Sequence, residues 1–200
     1  MKASDYVDGY FLAAQAVAAD PELKRQVIAF VDILRKLKQR EGRLFVLGLG
    51  GSAANASHAV NDFRKIAGIE TYAPTDNVAE LTARTNDQDF DSCLSEWLKG
   101  SHLRAQDLVL ILSTSGGRHK SGRITPSSSP LLLAAQLAQQ KGAQVVSLLG
   151  DAGGILNSQN FSSLVILVPV SDQFSTPLAE SFQAVVWHAA CNALSSEERE

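Results

Sequence analysis

Three times along the chain, a short run of consecutive apolar residues ends in a cluster of glycines and small hydroxyl residues. Arg43-Leu44-Phe45-Val46-Leu47 runs into Gly48-Leu49-Gly50-Gly51-Ser52. Asp107 to Leu112 runs into Ser113-Thr114-Ser115-Gly116-Gly117, and Ala143 to Leu149 runs into Gly150-Asp151-Ala152-Gly153-Gly154. A fourth run, Leu164 to Val168, precedes a long helical pattern from about Thr176 to Leu194. Strands that are apolar on both faces belong to a parallel sheet covered on both sides by helices. Ile69 to Ala73 offers a fifth strand. The expected architecture is therefore α/β: a three-layer α/β/α sandwich with a mainly parallel five-stranded sheet, in one domain spanning residues 1–200.

Ahead of the first strand, residues 3–41 read as helices that extend the domain. Asp5 is the expected N-cap of the first, with Tyr6, Tyr10, Phe11, Ala14 and Val17 at helical spacing. Asp20-Pro21 is a cap followed by proline at the first helical position. Leu23, Val27, Phe30, Val31, Leu34 and Leu37 then form an apolar stripe, opposite a basic face of Lys24, Arg35, Lys36 and Arg40 that reads as solvated surface. The stretch from Arg118 to Pro130 reads as one long irregular loop.

Several function classes are disfavoured. The formal charge is −3, against a general polyanion binder, so nucleic acid is not the expected partner. Cys93 and Cys191 form no CxxC pair, which argues against a disulfide scaffold or a Cys-rich zinc site and fits a reducing compartment. No stretch reaches the roughly 20 apolar residues of a membrane span. The expected setting is cytoplasmic.

In open parallel sheets, ligands bind beyond the carboxyl ends of the strands. Two such ends here carry glycines, which admit backbone N–H groups close to an anion, and hydroxyls that donate hydrogen bonds. A phosphorylated ligand is expected there. Gly48 to Ala53 also satisfies the dinucleotide pattern GxGxx(G/A), with Glu70 beyond it. However, Glu70 precedes the apolar part of the next strand, where a ribose-binding acid would follow it.

His58 and Asp62 lie four residues apart on one helix face. Glu180 and His188 lie eight residues apart on the last helix, about 12 Å along its axis and roughly 80° around it. Two imidazoles and two carboxylates suit zinc or a similar divalent ion. Spacing alone favours the plainer account, a surface His58 and a packed core His188. Trp97 and Trp187 stand at apolar helical positions and read as core or subunit contact.

Taken in order, Gly48-Leu49-Gly50-Gly51-Ser52, His58, Thr75-Asp76-Asn77, Asn86-Asp87, Leu112-Ser113-Thr114-Ser115-Gly116 and Gly150 to Gly154 resemble the sugar isomerase (SIS) domain family. The likeness is greatest to its phosphoheptose isomerases and runs through nearly the whole chain. It implies a sugar phosphate held by Ser52, Ser113, Thr114 and Ser115. A further serine is matched by Ser128, or by Ser129. It implies Asp62 as base, where the family has glutamate, and His188 as acid. It implies one zinc ion per site on His58, Asp62, Glu180 and His188, with Glu180 where the family has glutamine. A homotetramer with the N-terminal helices in a central bundle is implied as well. Leu49 stands in place of a family asparagine, Pro177 in place of an aspartate, and Arg118 to Ser127 is an insertion. A non-catalytic SIS branch, the DnaA initiator-associating proteins, resembles Ser52 to Asn55 and Thr75 to Asn77. That branch lacks the acid and late histidine matched by Asp62 and His188. A binding module without turnover is the third reading.

Overall fold

The computed structural model describes residues 2–117, 119–120, 123–124, 129–150, 153–170 and 172–197, with backbone alone at 119, 120, 123, 124 and 172. Two helices open it, α1 (Ala3–Ala19) and α2 (Pro21–Gln39). Next come β1 (Leu44–Leu47), α3 (Gly51–Lys65), β2 (Thr71–Tyr72), α4 (Val78–Asp87), α5 (Cys93–Gly100) and β3 (Leu108–Ser113). The chain continues through β4 (His119–Lys120), β5 (Arg123–Ile124), α6 (Ser129–Gln140), β6 (Gln144–Gly150), α7 (Gly154–Ser158), β7 (Leu164–Val168) and α8 (Ser175–Glu197).

The main sheet has the order β2-β1-β3-β6-β7, and every pairing in it is parallel. Alternation along each strand separates two cores. Leu44 and Val46 face α2, α3 and α8, while Phe45 and Leu47 face α5, α6 and α7. This is the expected α/β/α sandwich. Among the described residues no helix is long and apolar enough to cross a membrane.

The helical extension departs from expectation at its start. Helix α1 begins at Ala3, so the N-cap is Lys2, and Asp5 accepts the Lys2 backbone N–H at 3.4 Å from the first turn. An acid there favours the positive end of the helix without being its cap. Asp20 does cap α2, accepting the Leu23 N–H at 2.7 Å with Pro21 in the first turn. Only Val17 of the α1 stripe is buried, while Phe11 stays 68% exposed. The expected irregular loop contains a short antiparallel pair, β4 with β5; the remainder of residues 118–128 lies outside the described residues.

A buried ion pair ties the start of β1 to that of β3. Arg43 Nη2 meets Asp107 Oδ2 at 2.7 Å, and Asp107 also accepts the backbone N–H groups of Arg43 and Arg104 at 3.0 and 2.9 Å. Burial by itself would raise the Asp107 carboxyl, but the Arg43 guanidinium and the two N–H groups outweigh it and hold it below the usual carboxylate range. A depressed carboxyl contributes stability in full above its unfolded value of about 4 and loses it as pH falls through the lower folded value. Asp107→Asn is expected to cost about 3–5 kcal/mol at neutral pH, since it strands a buried guanidinium. It should also flatten the acid-side loss of stability, as read from urea midpoints at pH 7 and pH 3.

Candidate active site

The chain leaves β1 toward β2 on one side and returns to β3, which leads toward β6 on the other. Ligands bind at such a reversal of strand order. Leu47 pairs with Ile111, so the loops after β1 and β3 emerge side by side at the carboxyl edge. Both glycine- and hydroxyl-rich loops therefore meet at one place. Leu49, Ser52, Ser113, Thr114, Ser115 and Glu180 line a cavity of about 190 Å³ there.

The loop after β3 is held by its own backbone. Ser113 Oγ accepts the Gly116 N–H at 3.0 Å, leaving its hydroxyl hydrogen for a ligand. The carbonyls of Gly116 and Gly117 accept the N–H groups of Leu156 and Ile155 at 2.9 and 3.0 Å, docking the loop onto α7. Gly116 has φ +61°, and a Cβ there would strike the Gly153 carbonyl, so glycine is required. Gly51 leaves room for an acid: a Cβ there would meet the Glu180 carboxylate and push it aside. An acid thus lies against the first turn of α3, where the helix dipole favours it. Ser128 lies outside the described residues, and Ser129 is the first residue of α6.

The second grouping sits between α3 and α8. Ligand atoms of His58, Asp62 and His188 lie within 4.8 Å of one another. His188 Nε2 is 3.4 Å from Asp62 Oδ2, and the rings of His58 and His188 are 5.2 Å apart, nearly perpendicular. His188 Nδ1 is 2.8 Å from the Ala184 carbonyl oxygen. A carbonyl only accepts, so Nδ1 carries the hydrogen and Nε2 is the nitrogen that binds or exchanges protons. The Asp62 side chain is 12% exposed, and its Oδ1 accepts from Asn61 Nδ2 at 2.8 Å. Glu180, expected with this group, stands instead with the serines.

Some contributors have no site role in the sequence reading, where Trp187 reads as core or subunit contact. Trp187 stacks on His188 with ring centres 3.6 Å apart and meets His58 edge-on at 4.8 Å. Asn55 Nδ2 donates to the Glu180 carbonyl at 2.9 Å and to Gln183 Oε1 at 3.1 Å, joining α3 to α8. Its position one turn beyond Ser52 was the available signal. Asn61 carried none, since a helix-surface asparagine beside an acid is unremarkable.

No family model matches the chain. The phosphoheptose isomerase of Geobacter sp. strain M21 is 30% identical over 188 residues, which cover 90% of this chain and 88% of that one. That of Rhodospirillum rubrum is 32% identical over 155 residues, covering 75% and 74%. The chain belongs to the phosphoheptose isomerase family. Solved members share its fold: the enzyme from Neisseria gonorrhoeae superposes with a TM-score of 0.80 at 22% identity, covering 96% of each chain. The enzyme from Francisella tularensis gives 0.81 at 20% identity, covering 98% of this chain and 100% of that one. Membership in this family of isomerases makes the chain an enzyme and sets aside the non-catalytic readings.

Proposed function

We propose that the protein interconverts a ketose phosphate and an aldose phosphate, with sedoheptulose 7-phosphate going to D-glycero-D-manno-heptose 7-phosphate through an enediol. The observation that carries this reading is the juxtaposition of Asp62 and His188 between α3 and α8, within a family named for that isomerisation. Ser52, Ser113, Thr114 and Ser115 hold the phosphate, and we assign Ser128 to the same cradle. Asp62 takes the proton from the carbon beside the carbonyl and returns it to the neighbouring carbon. With no metal on it, His188 Nε2 gives a proton to the carbonyl oxygen and takes one from the neighbouring hydroxyl as the new carbonyl forms. Its Nδ1–H bond to Ala184 keeps that nitrogen aimed. The low exposure of the Asp62 carboxylate limits competing water.

Two imidazoles and a carboxylate with ligand atoms inside 4.8 Å match the donor set of a catalytic zinc site that keeps a position open for substrate. We assign zinc to His58, Asp62 and His188, with Glu180, on the phosphate side, as the fourth residue of the expected set. Zinc bound there supplies Lewis-acid polarisation of the sugar oxygens. Exposed Phe11 and Leu12 on α1, Ile28 on α2 and Val185 on α8 support assembly of the N-terminal helices into a homotetramer.

Proton NMR of the protein with sedoheptulose 7-phosphate, with and without added zinc, tests the reading. A new aldoheptose anomeric signal is the expected result. Unchanged spectra at high protein concentration under both conditions would overturn it.

A further inference from the structure

The serine cavity holds a set of unspent donors and one acid. The hydroxyls of Ser52, Thr114 and Ser115 line it, and none of them has a hydrogen-bond partner among the described residues. The backbone N–H groups of Gly51 and Ser52, in the first turn of α3, find no acceptor among those residues either. Donors gathered at a helix N-terminus suit an anion. The Glu180 carboxylate already lies beside them, because a Cβ added at Gly51 would run into both of its oxygens. That carboxylate is half-buried and has no hydrogen bond or ion pair among the described residues. It is also the only charged side chain among the described residues that line the cavity. The Glu180 backbone is held, since its carbonyl accepts the Asn55 amide at 2.9 Å. The carboxylate itself is not.

We propose that Glu180 is a built-in competitor for the phosphate. Its carboxylate stands at the anion seat of the cradle and has to turn away before a phosphate ester settles among Ser52, Ser113, Thr114 and Ser115. The proposal rests on the phosphate reading of those residues. Two negative groups a few ångströms apart, with no cation between them, repel strongly in a partly buried site. They also call on the same few donors. A glutamate side chain turns about several bonds, so it clears the seat without any shift of α8. The penalty is the same for every phosphate ester. It therefore sets how tightly the cradle holds, and not which sugar it holds.

Calorimetric titration of the full chain with inorganic phosphate, first with a chelator and then with magnesium, tests it. Without metal, Glu180→Gln should bind inorganic phosphate about tenfold tighter than wild type or better, as expected on removing one like charge from such a site. Glu180→Ala, which also frees the space, should gain at least as much. Ser115→Ala added to the Glu180→Gln protein should take back much of the gain, which puts the bound phosphate in the cradle. No gain in either Glu180 variant overturns the competitor and leaves the cradle standing. So does magnesium that tightens phosphate binding only while Glu180 is present, because the acid would then hold a cation for the phosphate. A gain that survives Ser115→Ala in full overturns it too, since the phosphate would lie elsewhere. If neither wild type nor the Glu180 variants bind inorganic phosphate, the cradle reading falls and the competitor with it.

Discussion

Asp62→Asn is expected to lower turnover of sedoheptulose 7-phosphate by roughly 10²–10⁴-fold, the range set by losing a positioned general base. Asparagine keeps the shape and one oxygen for the Asn61 amide, which now lies 2.8 Å from Oδ1, but cannot carry a proton between adjacent carbons. The fold should survive, because Asp62 faces His188 at 3.4 Å at the edge of the packed interior and fills no buried ion pair. Circular dichroism and the thermal midpoint check the second half of the expectation, and the NMR assay the first. An Asp62→Asn protein that turns over at the wild-type rate would sink the assignment of the base.

Trp187→Ala is expected to have a large effect on stability. The indole is fully buried, stacks on His188 at 3.6 Å and meets His58 at 4.8 Å. Removing it leaves a cavity and costs about 3–5 kcal/mol. For a chain of this size that lowers the melting midpoint by roughly 6–20 °C. Both imidazoles lose the surface against which they are oriented, so if the proposed metal assignment is right, affinity for added zinc should fall together with stability. Trp187→Phe separates these effects. It keeps a ring in the stack, and Trp187 Nε1 is buried with no hydrogen-bond partner among the described residues, so phenylalanine gives up no bond there. The phenylalanine variant should stay within about 1.5 kcal/mol of wild type. Equal loss in both variants, followed by urea unfolding, would show that the ring contact contributes nothing.

The layered fold was legible because each central strand is apolar on both faces and ends in a glycine cluster. Leu44 to Leu47 is wholly buried in the structure, and so is Leu108 to Leu112. The helices α4 and α5 were not legible. Helix α4 buries none of its residues fully, so its sequence carries little core-facing pattern, and α5 is only eight residues long. The start of α1 misled because an acid works at either the cap or the first turn, and Asp5 occupies the latter. The His58–Asp62 pair could be drawn from helix geometry. Its meeting with His188 could not, because it depends on how α3 packs on α8. The same packing sends Glu180, two turns earlier on α8, to the serine cavity, and spacing along one helix does not report which neighbour each turn will meet.

The link between those helices has a consequence for motion. Asn55 ties α3 to the backbone and side chain of α8, and the Cys191 thiol donates to the Asp62 carbonyl at 3.4 Å. The two halves of the His58, Asp62 and His188 cluster therefore belong to one rigid body. Their alignment is settled when the chain folds and needs no rearrangement as charge develops during a turnover. Room to adjust to an incoming sugar lies on the opposite wall, in residues 78–92, none of which is buried. One side of the crevice works as a fixed jaw, and discrimination between ligands falls to the other.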